Sequence, residues 1–584
     1  MLRSLRLSAR LALGLGLALA LLFPSVASAA GKRPVTVTAV LSVDRVLQGD
    51  AVRITGRAGP SPTGTTVLLQ RYRSGAWKTI AKTRTGSRGA YAFSERPPEG
   101  RARYRVVRPS DARYAAGTSP AVRTRAEACR GLPLPMPSTA AWFTRTGASS
   151  TSQLARKLGG LFCTAAPGST VQVAMYFVRT GDSAREVETI LRPLELMHRY
   201  RGVRVQFLLE RRVYAGGGMD STLRRLRSFA TVEFCTWSCR NANDASGILH
   251  DKFVVMSNTT LRPGKDPVVV TSSANWSYSQ LRGKWQSAVL SHDDPVLARE
   301  LAIRWDALRA CGTPGGCEAW TGQYAGAVLP GEYGTSSRGG ISYDGASVRP
   351  GGAGRGTAVQ FSPIRTGDPV RQELTAGTCS AEHRTVRLAM FKFTSGRSAV
   401  ADALAAMQQA GCDVSIALAT PVDTVERAGL DMLRSRGLQV SCVRGLHDKA
   451  VVLDVAGRDG APRTTLMTGS ANLTYSALRL SDEAQLQLTV QQASPPYAAA
   501  LAQVHAAYLR NWRTMARAAG SCDPLATPAP PDPLGAPGVD GVSGADGVSG
   551  DGADSGSGVG LEGNAGVRLA PPGEPNTPDP EELG

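Results

Sequence analysis

Histidine is the scarcest ionisable residue of this sequence, with six copies among 584 residues. Beyond the amino terminus the sequence also lacks any apolar run of the roughly 20 residues that a membrane-spanning helix needs. The close cysteine pairs, in CTWSC and CGTPGGC, have no second CxxC and no histidine pair at zinc-ligand spacing. These shortages argue against an integral membrane protein and against a structural zinc site, and we predict no metal and no other cofactor.

The first 30 residues follow the pattern of a secretory signal peptide. MLRSLRLSAR is basic, LALGLGLALALLF is apolar but short, and SVASAA offers small residues for cleavage near Ala29 or Ala30. We therefore expect the mature chain to be exported and secreted as an extracellular protein.

Ten cysteines, an even number, are consistent with that compartment, because disulfides persist outside the cytosol. Cys235 and Cys239, and likewise Cys311 and Cys317, are close enough in sequence to close small loops. The pairing of the other cysteines stays open, because connectivity does not follow from sequence.

The positive charge of the chain is unevenly distributed. The net charge is +20, yet residues 523–584 hold eleven acidic residues and one arginine, and residues 1–30 hold three arginines. Residues 31–522 therefore carry a net charge of +27. A body this basic attracts anions such as nucleic acid, anionic lipid headgroups or cell-wall polymers. The alternative is a solvated, arginine-rich surface without a specific partner.

Residues 34–125 contain short segments of roughly alternating character, separated by turns such as GPSPTG and TGSRG. The segments are VTVTAVLSV, AVRITGRA, TTVLLQRYR, AYAFSE and ARYRVVR. Strands at this spacing predict an all-β sandwich. The stretch resembles the immunoglobulin-like modules of secreted bacterial proteins, and this resemblance implies an accessory role in binding or spacing.

Residues 130–522 contain an internal repeat. VQVAMYFVRTGDSA at 171–184 matches VRLAMFKFTSGRSA at 386–399, and a helical stretch follows each. Two apolar strands and an LHDK segment come next in both copies, and each copy ends in a matching tail, SSANWSYSQLRGKWQSAV or GSANLTYSALRLSDEAQL. Strands that alternate with helices predict an α/β sheet in each copy. The repeat therefore predicts two lobes related by a pseudo-twofold axis.

Two of the six histidines lie in the repeated tetrapeptide LHDK, 197 positions apart. Residues i and i+2 of a strand face the same way, so the histidine and lysine of each copy share a face, and the intervening aspartate points away. The serine and asparagine of the tail have the same spacing. The residues that can share one face are His250, Lys252, Ser273 and Asn275 in the first copy and His447, Lys449, Ser470 and Asn472 in the second.

This set of side chains suits a phosphodiester substrate. Neutral imidazole can attack an anionic phosphodiester without charge repulsion, and a covalent phosphohistidine divides one hard step into two easier ones. Lysine and asparagine can hold the non-bridging oxygens, whose negative charge grows in the transition state. The second histidine can protonate the leaving oxygen and then activate water. Each histidine taken alone would be explained as a core residue, but the duplicated set favours a site.

The pattern HxKx₄D followed by GSxN, present twice within residues 130–522, resembles the phospholipase D superfamily. The second copy is complete, with His447, Lys449, Asp454, Gly469, Ser470 and Asn472. The first copy has Ser257 in place of the aspartate and Ser272 in place of the glycine. The resemblance implies a two-lobed α/β phospholipase D fold, with mixed sheets flanked by helices. It also implies a structural role for the motif aspartate and a catalytic role for the residues His250, Lys252, His447 and Lys449.

Gln286 and Glu483 occupy matching positions, eleven residues after the asparagine of each copy. In the family that the chain resembles, an acidic residue near this point hydrogen-bonds the ring of the motif histidine. We expect each lobe to orient its own histidine. Gln286 would then back a neutral, nucleophilic His250, and Glu483 would back a protonated His447 that acts as general acid. The residues expected to bind or orient the substrate phosphate are Ser273, Asn275, Ser470, Asn472, Gln286 and Glu483.

The sequence predicts six segments along the chain. They are a signal peptide at 1–30, an immunoglobulin-like β-sandwich at 34–125, a first lobe at 130–322, a Gly-rich linker or loop at 323–358, a second lobe at 359–522 and a disordered acidic tail at 523–584. The tail is rich in Gly, Asp, Ser and Pro and lacks apolar periodicity, a composition typical of disorder.

The resemblance implies a phosphodiesterase that hydrolyses phospholipids of the phosphatidylcholine type to phosphatidate and the free headgroup. Headgroup exchange follows when another alcohol captures the covalent intermediate. Two alternatives stay open, namely a secreted endonuclease with the same fold and a catalytically weak surface-binding protein. The expected partner is the phospholipid or other phosphodiester substrate, and nucleic acid is the alternative substrate. The basic body also permits contact with an anionic membrane surface, and we expect a monomer.

Overall fold

The structure of the chain is a computed structural model that describes most of the region between the two termini. The described residues are 31–146, 152–181, 185–215, 218–236, 238–239, 247–311, 333–335, 341–343, 348–364, 367–420, 424–520 and 522. The predicted signal peptide at 1–30 and acidic tail at 523–584 lie outside them. The chain divides into two compact units, with the division after Ala128.

The amino-terminal unit consists of two β-sheets. The first sheet has the strands Thr36–Val37, Val40–Leu41, Val52–Gly59 and Ala90–Glu95. The second has, in spatial order, Arg45–Leu47, Val122–Glu127, Gly100–Arg108, Thr66–Arg73 and Ala76–Arg84, with Gly117–Thr118 beside Gly100–Arg108. A short 3-10 helix, Ser87–Gly89, precedes the last strand of the first sheet.

The core of this unit lies between the two sheets. Ile54 and Phe93 from the first sheet and Leu69 and Val106 from the second belong to one buried cluster. The predicted β-sandwich is therefore confirmed, whereas its immunoglobulin-like character stays a prediction. The strands Ala76–Arg84 and Val122–Glu127 were missed from sequence, because lysine, arginine and threonine interrupt their apolar positions.

The second unit begins with the first lobe, which is built on a seven-stranded mixed sheet. Its strands, in spatial order, are Thr139–Thr144, Gln286–His292, Val268–Ser272, Lys252–Met256, Thr170–Met175, Arg204–Glu210 and Thr231–Cys235. Its α-helices are Gln153–Phe162, Arg185–Arg201, Asp220–Arg227, Tyr278–Arg282 and Pro295–Cys311, and a 3-10 helix spans Arg211–Tyr214. The last three strands pair in parallel, which requires crossover connections such as the helix Arg185–Arg201.

The second lobe repeats this arrangement. Its sheet has the order Val348–Pro350, Arg355–Ser362, Glu483–Ala493, Pro462–Gly469, Lys449–Gly457, Arg384–Met390, Asp413–Thr420, Val440–Arg444 and Ala519–Gly520, and Gly377–Thr378 pairs beside Lys449–Gly457. Its helices are Pro369–Ala376, Ser398–Gln409, Thr424–Ser435, Tyr475–Arg479 and Pro495–Arg517, with a 3-10 helix at Ser395–Arg397. The strands of the internal repeat occupy the same places in both lobes, so the predicted two-lobed α/β fold is confirmed.

One predicted boundary is wrong. The Gly-rich segment 323–358 was interpreted as a linker or loop, but the second lobe's sheet already begins at Val348. The glycines at its end form the turn of a β-hairpin between Val348–Pro350 and Arg355–Ser362. Gly354 and Gly356 have φ angles of +68° and +67°, a conformation that glycine adopts without strain. Two further short strands, Tyr333–Thr335 and Ile341–Tyr343, pair with each other.

A buried cluster joins the two lobes. It contains Val255 and Val269 from the first sheet, Val452 and Leu466 from the second, and side chains of the helices Pro295–Cys311 and Pro495–Arg517. Because both sheets contribute to one core, the edge at which their LHDK strands begin is held in a fixed place.

Disulfides reinforce both lobes. Those between described residues are Cys129–Cys163, Cys235–Cys239, Cys379–Cys412 and Cys442–Cys522. The predicted loop between Cys235 and Cys239 is confirmed, and the one between Cys311 and Cys317 involves a residue outside the described ranges. Among the helices of the described ranges, none combines the length and the hydrophobicity needed to cross a bilayer.

Candidate active site

Both LHDK segments lie at the interface between the two lobes. His250 and His447 each lie two residues before the first residue of a central strand. Both histidines are buried, as are Lys252 and Lys449. The backbone N–H of His250 donates to the carbonyl of Asp482 at 2.9 Å in the opposite lobe. These contacts place each motif histidine against the strand of the other lobe.

His447 makes an equivalent backbone contact with the first lobe. The backbone N–H of His447 donates to the carbonyl of Trp285 at 3.0 Å, and Trp285 N donates to Gly445 O at 2.7 Å. Trp285 immediately precedes Gln286, just as Asp482 precedes Glu483. Each backbone contact therefore brings the orienting side chain of one lobe to the histidine of the other.

His250 is held by a carboxylate. Its Nδ1–H donates to Oε1 of Glu483 at 2.8 Å, and both side chains are buried. An acceptor at Nδ1 fixes the ring proton there and makes Nε2 the basic atom of the neutral ring. The ring of Tyr176 packs against this imidazole edge to face, with ring centroids 5.6 Å apart. His250 is thus oriented for attack through Nε2.

His447 has different neighbours. Its Nδ1 lies 3.2 Å from the side-chain amide of Gln286 and 2.8 Å from Nζ of Lys449. Nε2 lies 3.3 Å from Nε2 of Gln280, and the ring of Phe391 packs at 4.2 Å between centroids. His447 therefore lies among the Lys449 side chain and two glutamine amides.

The predicted pairing of histidines and orienting residues is wrong. We expected each lobe to orient its own histidine, but Glu483 binds His250 and Gln286 binds His447. The reason is the backbone pairing across the interface, which sequence comparison of the two repeats does not reveal. The carboxylate consequently belongs to the amino-terminal motif and the amide to the carboxyl-terminal one. The charge argument that made His447 the protonated acid and His250 the neutral nucleophile therefore no longer holds.

The motif lysines lie beside the histidines, as the i, i+2 spacing predicts. Nζ of Lys252 donates to the carbonyl of His250 at 3.1 Å, and Nζ of Lys449 donates to the carbonyl of His447 at 2.9 Å. Each ammonium also lies over an aromatic ring, that of Tyr176 at 5.7 Å or that of Phe391 at 5.0 Å. Both positive charges are thereby buried next to the imidazoles.

The predicted serines and asparagines have different surroundings. Ser273 Oγ contacts the Gln286 amide at 2.7 Å and accepts from Ser287 N at 2.9 Å, and Ser470 Oγ accepts from Ala484 N at 3.0 Å. The serines thus hold their loop to the strand that carries the orienting residue.

The asparagines lack such contacts. Among the described residues, neither Oδ1 nor Nδ2 of the fully buried Asn275 has a hydrogen-bond partner, and neither does Oδ1 of Asn472. A buried amide without a partner costs free energy, about 1–3 kcal/mol, so such groups are rare unless a ligand satisfies them. This makes the asparagines, more than the serines, suited to a substrate's phosphate oxygens.

The motif aspartate lies away from the histidines, as its odd offset predicts. Asp454 accepts from Nδ1 of His383 at 2.9 Å, and both side chains are partly exposed. At the matching place in the first lobe, Ser257 Oγ accepts from Thr170 N at 2.9 Å. Both residues tie the far end of the LHDK strand to its neighbour, so the serine preserves a local contact of the kind that the aspartate makes.

Sequence reasoning missed a buried ionic cluster at the interface. Nη2 of Arg304 lies 3.2 Å from Asp251 and 3.3 Å from Asp482, which comes from the other lobe, and all three side chains are fully buried. Burial raises the pKa of Asp251 to about 6, against the opposing effect of the Arg304 guanidinium. The carboxylate before Lys449, Asp448, accepts from Ser287 Oγ at 2.6 Å, and burial raises its pKa to about 6 as well.

Gln280 was also missed, although the sequence carries a signal for it. The matching helices read YSQLR and YSALR, so the residue that contacts His447 stands opposite Ala477 in the repeat. A difference at one buried position of two otherwise matching helices marks the two halves of the site as chemically unequal.

Comparison with known proteins agrees with this geometry. Residues 164–305 and 379–505 match a family described as "Cardiolipin synthase, PLD-like domain". No curated protein matches the chain.

Three solved structures similar to this chain superpose on it only in part. A phospholipase D family member, Nuc from Salmonella typhimurium, is 19% identical over 28% of this chain and 95% of its own, with a TM-score of 0.22. Polyphosphate kinase from Porphyromonas gingivalis is 11% identical over 77% of this chain and 75% of its own, with a TM-score of 0.37. A tetra-tandem repeat of a large adhesion protein is 16% identical over 26% of this chain and 36% of its own, with a TM-score of 0.14.

The family match covers each lobe separately, and each matched region contains one LHDK segment. Because the two lobes also share one strand order, both halves carry the same fold. Each lobe of the chain is a domain of the phospholipase D superfamily.

Proposed function

We propose that this chain is an exported phosphodiesterase that hydrolyses phospholipids of the phosphatidylcholine type through a covalent phosphohistidine. The observation that carries the proposal is the buried Glu483–His250 contact, which leaves one motif imidazole oriented for attack while the other rests among amides. Two buried lysines supply positive charge, and Asn275, whose side chain has no hydrogen-bond partner in the described part of the chain, supplies a hydrogen bond of the kind that a phosphodiester requires.

In the first step, Nε2 of His250 attacks phosphorus and the headgroup oxygen leaves. The imidazole becomes positively charged as the N–P bond forms, and Glu483 stabilises that charge through Nδ1–H. Lys252, Lys449 and Asn275 bind the non-bridging oxygens, whose negative charge increases in the transition state. The product of this step is a phosphatidyl group on His250.

His447 acts first as the general acid and then as the general base. In its protonated form it donates from Nε2 to the leaving oxygen, and the resulting neutral ring then takes a proton from the water that attacks the intermediate. Gln280 lies at the same Nε2 and has to move aside, or turn its amide, for that transfer. Water releases phosphatidate and regenerates His250, and another alcohol in place of water exchanges the headgroup.

Three observations support a lipid substrate and export. The matching family description names cardiolipin synthase, the segment 31–522 carries +27, and each lobe contains a disulfide, a bond that persists outside the cytosol. The test is one assay of purified protein in the presence of chelator, with phosphatidylcholine vesicles and, separately, single- and double-stranded DNA. Choline release without DNA cleavage supports the proposal, and DNA cleavage alone selects the endonuclease. Folded protein that is inactive on both favours the catalytically weak surface-binding protein.

Replacing Gln286 by glutamate tests the roles of the two histidines. A carboxylate at Nδ1 favours the imidazolium form of His447, so the protonated acid persists to higher pH. We expect the alkaline limb of the kcat profile for the Gln286→Glu variant to move upward by about one pH unit. The control is Glu483→Gln, which acts on His250 and should lower kcat without that displacement. An unchanged alkaline limb in Gln286→Glu would contradict the assignment of His447 as general acid.

A further inference from the structure

The second sheet of the amino-terminal unit exposes a set of arginines on its outer side. Along the strand Gly100–Arg108, the residues Arg101 and Arg103 are exposed while Ala102 and Tyr104 between and beside them are buried. The neighbouring strand Val122–Glu127 presents Arg123 and Arg125 in the same way. We call Arg101, Arg103, Arg105, Arg123 and Arg125 the arginine face.

The arginines of this face lie directly opposite one another. In the strand register Arg123 pairs with Arg103, and Arg125 pairs with Arg101 on one side and with Arg45 on the other. Like charges at directly opposed positions destabilise a sheet. Within the described residues, Arg101, Arg103, Arg123 and Arg125 make no ion pair. The pairs Arg103–Arg123 and Arg101–Arg125 therefore oppose folding and require another explanation, whereas Arg45 also has Glu127 as a partner, at 3.9 Å.

Two aromatic residues border the face. Tyr72, which is 39% exposed, and Trp77 pack edge to face with ring centroids 5.3 Å apart. The guanidinium of Arg103 lies 4.9 Å from the ring centroid of Tyr72, and that of Arg105 lies 4.5 Å from that of Trp77. Stacking of this kind holds a guanidinium in one orientation and leaves its N–H groups directed sideways for an anion.

The outer side of the other sheet shows that the charge is specific to one face. There the strand Val52–Gly59 exposes Arg53 and Arg57, and the neighbouring strand Ala90–Glu95 exposes alanine and serine. The two sides of one sandwich therefore differ in charge, which a uniformly arginine-rich surface would not produce.

We propose that the arginine face docks this protein on an anionic phospholipid bilayer. The charges of the arginine face lie on two adjacent strands about 4.8 Å apart and repeat about every 6.8 Å along each strand, so they form a plane rather than a pocket for one phosphate. A bilayer offers many anionic headgroups in a plane. An exposed tyrosine and a partly exposed tryptophan beside the charges match the amphipathic residues that favour a membrane–water interface.

The docking proposal goes beyond the proposed function and is tested by binding, not by turnover. The full chain is sedimented with vesicles of pure phosphatidylcholine or of an equimolar mixture with phosphatidylglycerol. We expect binding to the mixed vesicles that weakens as salt rises, because exposed charges are screened. Each basic residue near an anionic surface strengthens partition roughly fivefold, so Arg103→Glu with Arg123→Glu should weaken it by at least about 30-fold.

The matched control reverses the same number of charges on the other sheet. Arg53→Glu with Arg57→Glu should change vesicle binding less than about threefold, since those charges do not face the bilayer. Equal losses in both double variants would show that net charge alone drives binding, and would overturn the proposal. Unchanged vesicle binding with lost binding of single-stranded DNA would assign the face to nucleic acid and overturn it too.

Two further variants separate the remaining explanations. Arg123→Glu alone places opposite charges across from each other, so it should raise or preserve the melting temperature while it weakens vesicle binding; a lower melting temperature would make the face structural. Deleting residues 523–584, which carry −10, should strengthen vesicle binding modestly at low salt. Vesicle binding that appears only after this deletion would show that the acidic segment occupies the face, contrary to the proposal.

Discussion

Turnover should fall by several orders of magnitude when His250 or His447 is replaced by alanine, because nucleophile and acid act as one unit. Lys252→Ala and Lys449→Ala should each lower kcat/KM on the order of 10²-fold, since each removes a charge that stabilises the transition state. The measurement is the release of headgroup from phosphatidylcholine. Circular dichroism and melting temperature establish that each variant is folded.

His383→Ala provides the matched control. His383 lies in the second lobe and pairs with Asp454 on the partly exposed far end of the strand, so its removal should leave turnover near normal. A trapping experiment distinguishes the two site histidines. Quenching His447→Asn with a substrate that has a good leaving group should leave the phosphoryl group on His250. A phosphoryl group on His447 in His250→Asn would reverse the assignment.

Replacing Arg304 by methionine should destabilise the second unit by about 3–5 kcal/mol, the usual cost of leaving buried charge uncompensated. Arg304 lies between Asp251 and Asp482, which belong to different lobes, and no part of the cluster is exposed. For a unit of this size the loss corresponds to a decrease in melting temperature of roughly 5 °C. The measurement is calorimetry of the full chain, in which the unfolding transition of the second unit should move to lower temperature.

The comparison variant for this prediction is Arg299→Met on the same helix. Arg299 is 68% exposed and pairs with Glu300 on the surface, where ion pairs contribute about 0–1 kcal/mol. The loss of unfolding free energy caused by Arg304→Met should also be smaller at pH 5 than at pH 8. Burial already raises the pKa of Asp251 to about 6, and a protonated carboxyl requires no counter-charge. A cost independent of pH would show that lost packing, rather than charge, explains the effect.

Much of the fold could be predicted from sequence because the evidence was local. Apolar runs predicted strands such as Arg204–Glu210 and Asp413–Thr420, and the repeat predicted that both lobes share one order. The i, i+2 spacing correctly predicted that Lys252 accompanies His250. The hairpin at Val348 was missed because glycines serve equally in tight turns and in linkers.

The orienting contacts could not be predicted because they depend on pairing between segments distant in sequence. Glu483 is 233 positions from His250, and its place is set by the backbone contact between Asp482 and His250. Arg304 gave no signal either, since a single arginine in an amphipathic helix is usually a surface residue. Alignment of two repeats shows which residues match, but not which residues meet.

The crossing of Glu483 and Gln286 between lobes has a consequence for how a duplicated protein acquires two different halves. Both LHDK segments can stay identical, because the character of each imidazole is determined by a residue in the opposite copy. One exchange of carboxylate for amide at position 286 leaves its own lobe's histidine untouched and alters the other. The two histidines can therefore take different roles through a substitution in the lobe opposite to each of them. Neither lobe determines the chemistry of its own histidine, so the two lobes have to be considered together.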